Sequence, residues 1–180
     1  HAACYLIHSS IEAANSLRDK YEFTPADIET ISTHVAPGHR SVCDITEPKT
    51  GLEVKFSIRH CIAMALSGLD TSDDNAYTDE IASRDDLKAL RRKVDVDATA
   101  LDNRYAAKLN IKLMNGLELS TTADVGLPAT DLDAQEARLV DKFTRLATPV
   151  IGQGRAVTAV NLVRDLENQD NIVTLIKAVE

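Results

Sequence analysis

The most constraining stretch of this chain is residues 105–122. Ala107, Leu109, Ile111 and Leu113 alternate with Lys108, Asn110 and Lys112, the period of two expected of a strand with one buried face. Asn115-Gly116 follows, and Leu117–Thr122 completes the pair. Asn-Gly between two such runs is the strongest short-range sign of a two-residue hairpin turn. Residues 106–122 are therefore expected to form an antiparallel hairpin, and a hairpin needs further strands or packed helices to be stable.

The flanking sequence supplies those helices. From Cys4 to Lys20, Leu6, Ile7, Ile11, Ala14 and Leu17 make a broad apolar stripe. Thr24-Pro25 reads as a cap with proline at the first helical position. Glu29–Val35 alternates as a strand that Pro37-Gly38 ends. His39–Ile45 reads as a short helical turn and Glu47–Gly51 as a loop. A helix over Ser57–Leu66 stops at Gly68. One helical turn is expected at Asp79–Ala82. Ser83 is expected to cap a helix over Asp85–Lys93, and Val94 and Val96 to begin a short strand. After Gly126-Leu127-Pro128 the pattern turns wholly helical. Segments are expected over Asp133–Ala147 (ended by Pro149), Arg155–Glu167 and Asn171–Val179. The fold expected is α+β, a small antiparallel sheet with packed helices over residues 1–127, followed by an all-helical tail over residues 128–180.

Some functions are excluded early. A net charge of −8 argues against nucleic acid, which demands clustered Lys and Arg. No apolar run approaches the roughly 20 residues of a membrane span. Cys4, Cys43 and Cys61 are odd in number and widely spaced, which suits reduced thiols in the cytoplasm better than a disulfide framework. The chain opens at His1 without an initiator Met or signal peptide, so it reads as a segment of something longer.

Lys55-Phe56-Ser57-Ile58-Arg59-His60 leads into the Ala-rich helix. Ser57 is a candidate N-cap, and exposed helix N-termini attract anions. With Lys55, Arg59 and His60 beside it, this start reads as a carboxylate or phosphate site. The same pattern also describes a capped core helix with solvated cations. His1, Cys4 and His8 would share one helical face, a triplet open to three readings: a metal site, a lining of partly buried side chains, or a substrate-facing surface. Cys61 reads as core, since His60 points about 100° away on a helix. There is no glycine-rich phosphate loop and no nucleophile elbow.

The order of these pieces resembles a known family. Cys4-x-x-x-His8 opens a helix. A strand and Pro48-Lys49-Thr50 follow, then Glu53-Val54-Lys55-Phe56-Ser57-Ile58-x-His60. Arg91-Arg92-Lys93-Val94, Leu113-Met114-Asn115-Gly116 and Asp141-Lys142-Phe143 come next. The chain is similar to the C-terminal part of the MmgE/PrpD family, which includes 2-methylcitrate dehydratase, cis-aconitate decarboxylase and iminodisuccinate epimerase. The resemblance implies that residues 1–127 are a lid domain. Residues 128–180 would pack on a large helical domain outside this chain, with the active site in the cleft between.

The resemblance further implies a lyase of propionate metabolism that eliminates water from a small di- or tricarboxylate. It implies no metal and no organic cofactor, a cytoplasmic location and a homodimer. Alternatives are an epimerase or a decarboxylase of the family, or a stand-alone binding or oligomerisation module. Cys4, His8 and His60 are the expected catalytic residues; Lys55, Ser57 and Arg59 are the expected substrate contacts. Cys4 stands where the decarboxylase branch has a catalytic histidine, and His60 where several members have a cleft-facing tyrosine.

Overall fold

The computed structural model describes residues 1–180. It divides into two compact units, residues 1–128 and 129–180. The first holds strands β1 (Ile28–His34), β2 (Val94–Asp97), β3 (Ala106–Leu113) and β4 (Glu118–Asp124). Its helices are α1 (His8–Lys20), α2 (Gly38–Cys43), α3 (Gly51–Val54), α4 (Ile58–Leu66), α5 (Asp79–Ser83) and α6 (Asp85–Arg91). The second holds α7 (Leu132–Ile151), α8 (Gln153–Arg164) and α9 (Val173–Val179).

The sheet runs β2-β1-β3-β4. The pairs β1–β3 and β3–β4 are antiparallel, and an edge pairing adds to them: β2 lies parallel to β1, with Ile31 beside Val94 and His34 beside Asp97. Alternation assigns the faces. Ile31, Thr33, Leu109, Ile111 and Leu119 are buried on one side, while Ser32, His34, Asn110 and Ser120 lie on the other. Helix α1 packs on β3, β4 and α4, and α4 also packs on α6. Every residue of α4 except Arg59 is buried. A helix apolar all round belongs in the interior, and α4 is the central rod of this unit.

Local chemistry changes several expected boundaries. The Asn-Gly turn closes as a three-residue loop. Leu113 N–H donates to Leu117 O, and Gly116 N–H donates to Leu113 O, each at 2.9 Å. Gly116 has φ +87°, whereas Asn115 stays at negative φ. A two-residue type I′ turn would need both positive, so this is a type I turn with a glycine bulge. Residues 50–54, expected as loop and lead-in, form α3 through a capping box: Thr50 Oγ1 accepts from Glu53 N at 3.2 Å and Glu53 Oε2 accepts from Thr50 N at 3.3 Å. Ser83 does not cap α6; its hydroxyl donates back to Glu80 O at 2.9 Å, and Arg84 takes the N-cap position. Pro149 lies inside the last turn of α7, which runs on to Ile151.

In residues 129–180 only Ala156 and Ala159 are fully buried. Leu139, Phe143, Leu146, Val150, Val157, Val163, Ile172 and Ile176 are exposed. No helix of the chain is long and apolar enough to cross a membrane.

Candidate functional site

The α4 start is built as its sequence suggests and then enclosed. Ser57 Oγ accepts from His60 N at 3.3 Å and donates to Ile45 O at 2.6 Å. A bridge between Asp44 and Ser57 and a bond from Ile45 N to Phe56 O at 3.1 Å lay the α2 exit along the α4 entry. Ser57 is completely buried.

The cations around this start already have partners within the chain. Arg59 Nε donates to Asp44 Oδ1 at 2.8 Å, and its Nη1 donates to Val94 O. Asp44 keeps only 4% of its side chain exposed, so this is an interior ion pair. Lys55 Nζ pairs with Asp74 and lies 5.3 Å from the centre of the Tyr77 ring, and it remains partly exposed. His60 is fully enclosed, and its Nδ1 accepts from Arg91 Nη1 at 3.3 Å. Burial first, then the neighbouring Arg91 charge, push its pKa down to about 4. The open anion site expected here is thus filled by the chain itself: Asp44 and Asp74 occupy two of the cations.

The N-terminal residues do not share a helical face as expected, because Cys4 precedes the helix with φ −51° and ψ 131°. A single turn of 3-10 helix over Tyr5–Ile7 leads into α1. The His1 and His8 rings meet edge to face at 5.1 Å, and Tyr5 packs on His8 at 5.2 Å and on Tyr105 at 5.7 Å. His1 Nδ1 meets Thr71 Oγ1 at 2.7 Å and its Nε2 meets Glu12 at 3.1 Å. Cys4 instead lies close enough to Cys43 to perturb its thiol. No three side chains among His, Cys, Asp and Glu come together as a metal-ligand set.

Two groups are brought together from far apart in sequence. Cys4 N–H donates to Lys55 O at 2.9 Å, so the turn carrying Cys4 and His8 is anchored on the backbone of Lys55. Cys4, His8 and Lys55 are all partly exposed. His60 and Ser57 lie in the interior behind them, and Arg59 is bound to Asp44. The sequence reading missed Asp44, Asp74, Tyr5 and Arg91. Arg91 entered there only within the Arg91-Arg92-Lys93-Val94 run, and its burial depends on how α6 meets α4.

A family model described as the MmgE/PrpD C-terminal domain matches residues 1–168 of the chain. No curated protein matches it.

Proposed function

The chain belongs to the MmgE/PrpD family, and from that premise we propose that it forms part of a lyase eliminating water from a small hydroxy-polycarboxylate of the 2-methylcitrate type. One observation supports the reading: the Cys4 amide donates to Lys55 O, so the turn leading to His8 starts on the backbone that carries Lys55, and all three residues are partly exposed. Elimination requires a base for the proton α to a carboxylate and an acid for the departing hydroxide. It also requires fixed positive groups for the charge that develops on the carboxylate.

In this proposal Lys55 grips a substrate carboxylate, exchanging Asp74 for it. His8 is the proton donor to the leaving hydroxyl. Its Nε2–H donates to Ala3 O at 3.1 Å, and the doubly protonated ring is the form that gives up a proton. Cys4 lines the same site. Ser57, Arg59 and His60 act as positioning residues that hold the backbone beneath Lys55 and Phe56. The α-proton base comes from the large helical domain outside residues 1–168. The exposed apolar side chains of α7, α8 and α9 are the docking face for that domain and for a homodimer partner. No metal or organic cofactor takes part.

The test is steady-state turnover of 2-methylcitrate by the complete enzyme. Lys55→Ala is expected to raise KM at least tenfold. His8→Gln is expected to lower kcat about 100-fold, within the usual span for general acid catalysis. Wild-type kinetics in both variants would overturn the site. Release of carbon dioxide, or epimerisation without loss of water, would overturn the reaction class.

A further inference from the structure

Three cysteines far apart in sequence surround one short segment. Cys61 Sγ donates to Val54 O at 3.2 Å. The Cys4 amide donates to Lys55 O at 2.9 Å. Cys43 closes α2 immediately before Asp44, which bridges to Ser57. A second tie draws α2 to the turn after Cys4: the buried His39 ring bonds Leu6 O at 3.0 Å and Ala36 O at 2.9 Å. The turn after Cys4 packs against α2, the Cys4 thiol is close enough to perturb Cys43, and all three cysteines are free thiols.

Exposure separates their chemistry. Cys4 is partly exposed, whereas Cys43 and Cys61 are fully buried. Burial first, then the neighbouring Cys4, push the Cys43 thiol up to about 12. Burial likewise raises Cys61. Thiolate and access together decide which cysteine an oxidant attacks, so a small peroxide in solution meets Cys4 first.

We propose that Cys4 and Cys43 form an oxidative modification site, in which hydrogen peroxide oxidises Cys4 and Cys43 resolves it as an intramolecular disulfide. The Cys4 thiolate attacks a peroxide oxygen; an S–O bond forms, the O–O bond breaks, and hydroxide leaves as water after taking a proton. Cys43 sulfur then attacks Cys4 sulfur. The S–S bond forms, the S–O bond breaks, and the second water leaves with the Cys43 proton. Two thiols lose two electrons in total, and one peroxide is reduced to two waters. The bond fixes the turn before α1 to the end of α2 and removes the Cys4 thiol from the proposed substrate site. This chemistry does not depend on the substrate assigned above.

The experiment treats the chain with a few equivalents of hydrogen peroxide and maps peptides by mass spectrometry without reduction. A Cys4–Cys43 cross-linked peptide is expected, reversed by dithiothreitol. Cys4→Ser should abolish it. Cys43→Ala should leave Cys4 as a sulfenic acid trapped by dimedone, and Cys61→Ala should leave the cross-link unchanged. A Cys4–Cys61 bond, an intermolecular bond only, wild-type Cys4 that proceeds to sulfinic acid without cross-linking, or unreacted Cys4 would each overturn the proposal. Turnover is read separately. Cross-linking in a protein that never dehydrates 2-methylcitrate would sink the proposed reaction and leave this site standing.

Discussion

Arg91 Nη1 donates to His60 Nδ1 at 3.3 Å in a place where both side chains are almost wholly removed from water. The donation fixes the neutral tautomer with its proton on Nε2. That N–H is buried without a hydrogen-bond partner. Arg91 itself has no ion pair, since His60 is its one side-chain partner. An imidazole N–H is thus left short of an acceptor in the interior, a costly arrangement for a polar group.

The His60 ring makes stability depend on pH. Its folded pKa is lowered from 6.5 to about 4, so between these values the unfolded chain binds more protons than the folded one. Stability therefore rises with pH across this window, is fully present above about 6.5, and falls as the pH drops toward 4. The loss is on the order of a few kcal/mol. Urea unfolding at pH 6.5 and pH 5 should show it, and His60→Gln, whose Oε1 can still accept from Arg91, should flatten the difference. Identical slopes in the two proteins would exclude His60 as the source.

Arg59 and Asp44 form the opposite case, an interior pair with both charges present. Arg59→Met strands a carboxylate whose side chain is 4% exposed, and about 3 kcal/mol of stability should be lost. Adding Asp44→Asn removes the stranded charge and should restore more than half of it. Equal midpoints for the single and double variants would show that Asp44 is solvated.

Gly51 is required by proximity. A Cβ there would stand 2.0 Å from Tyr77 O and 2.9 Å from Thr78 Cα, both backbone atoms. Gly51→Ala must push α3 off residues 77–78 and should cost about 2 kcal/mol. It should also loosen the Asp79 carboxylate that accepts from Gly51 N at 2.8 Å. Thermal unfolding measures the first effect and amide exchange at Gly51's neighbours the second.

The two units should differ in local stability. Residues 1–128 contain nearly the whole buried core, whereas residues 129–180 bury only Ala156 and Ala159. Amide exchange in α7–α9 should be on the order of 100-fold faster than in β1 and β3. Equal protection in the 180-residue chain would mean that α7–α9 are stabilised beyond what their burial explains.

Elements whose chemistry is local were legible in the sequence. Alternation along Ala107–Leu113 identified the strand, the Ser57 hydroxyl identified the α4 start, and the apolar run through Ile62–Leu66 identified the central helix. The Thr50–Glu53 capping box was also present as a pattern, though so short a helix passed for a loop. The order of these pieces was enough to indicate the family that the chain matches. Three results rested on the tertiary structure alone: which cations meet a carboxylate, which histidine loses contact with water, and which cysteines come near one another. Asp44 reaches Arg59, Arg91 reaches His60 and Cys4 comes near Cys43 only because α2, α6 and the N-terminal turn converge around the start of α4. Spacing along a chain fixes which side chains share a face, but burial and charge pairing depend on residues tens of positions away, and those meet only once the core has closed.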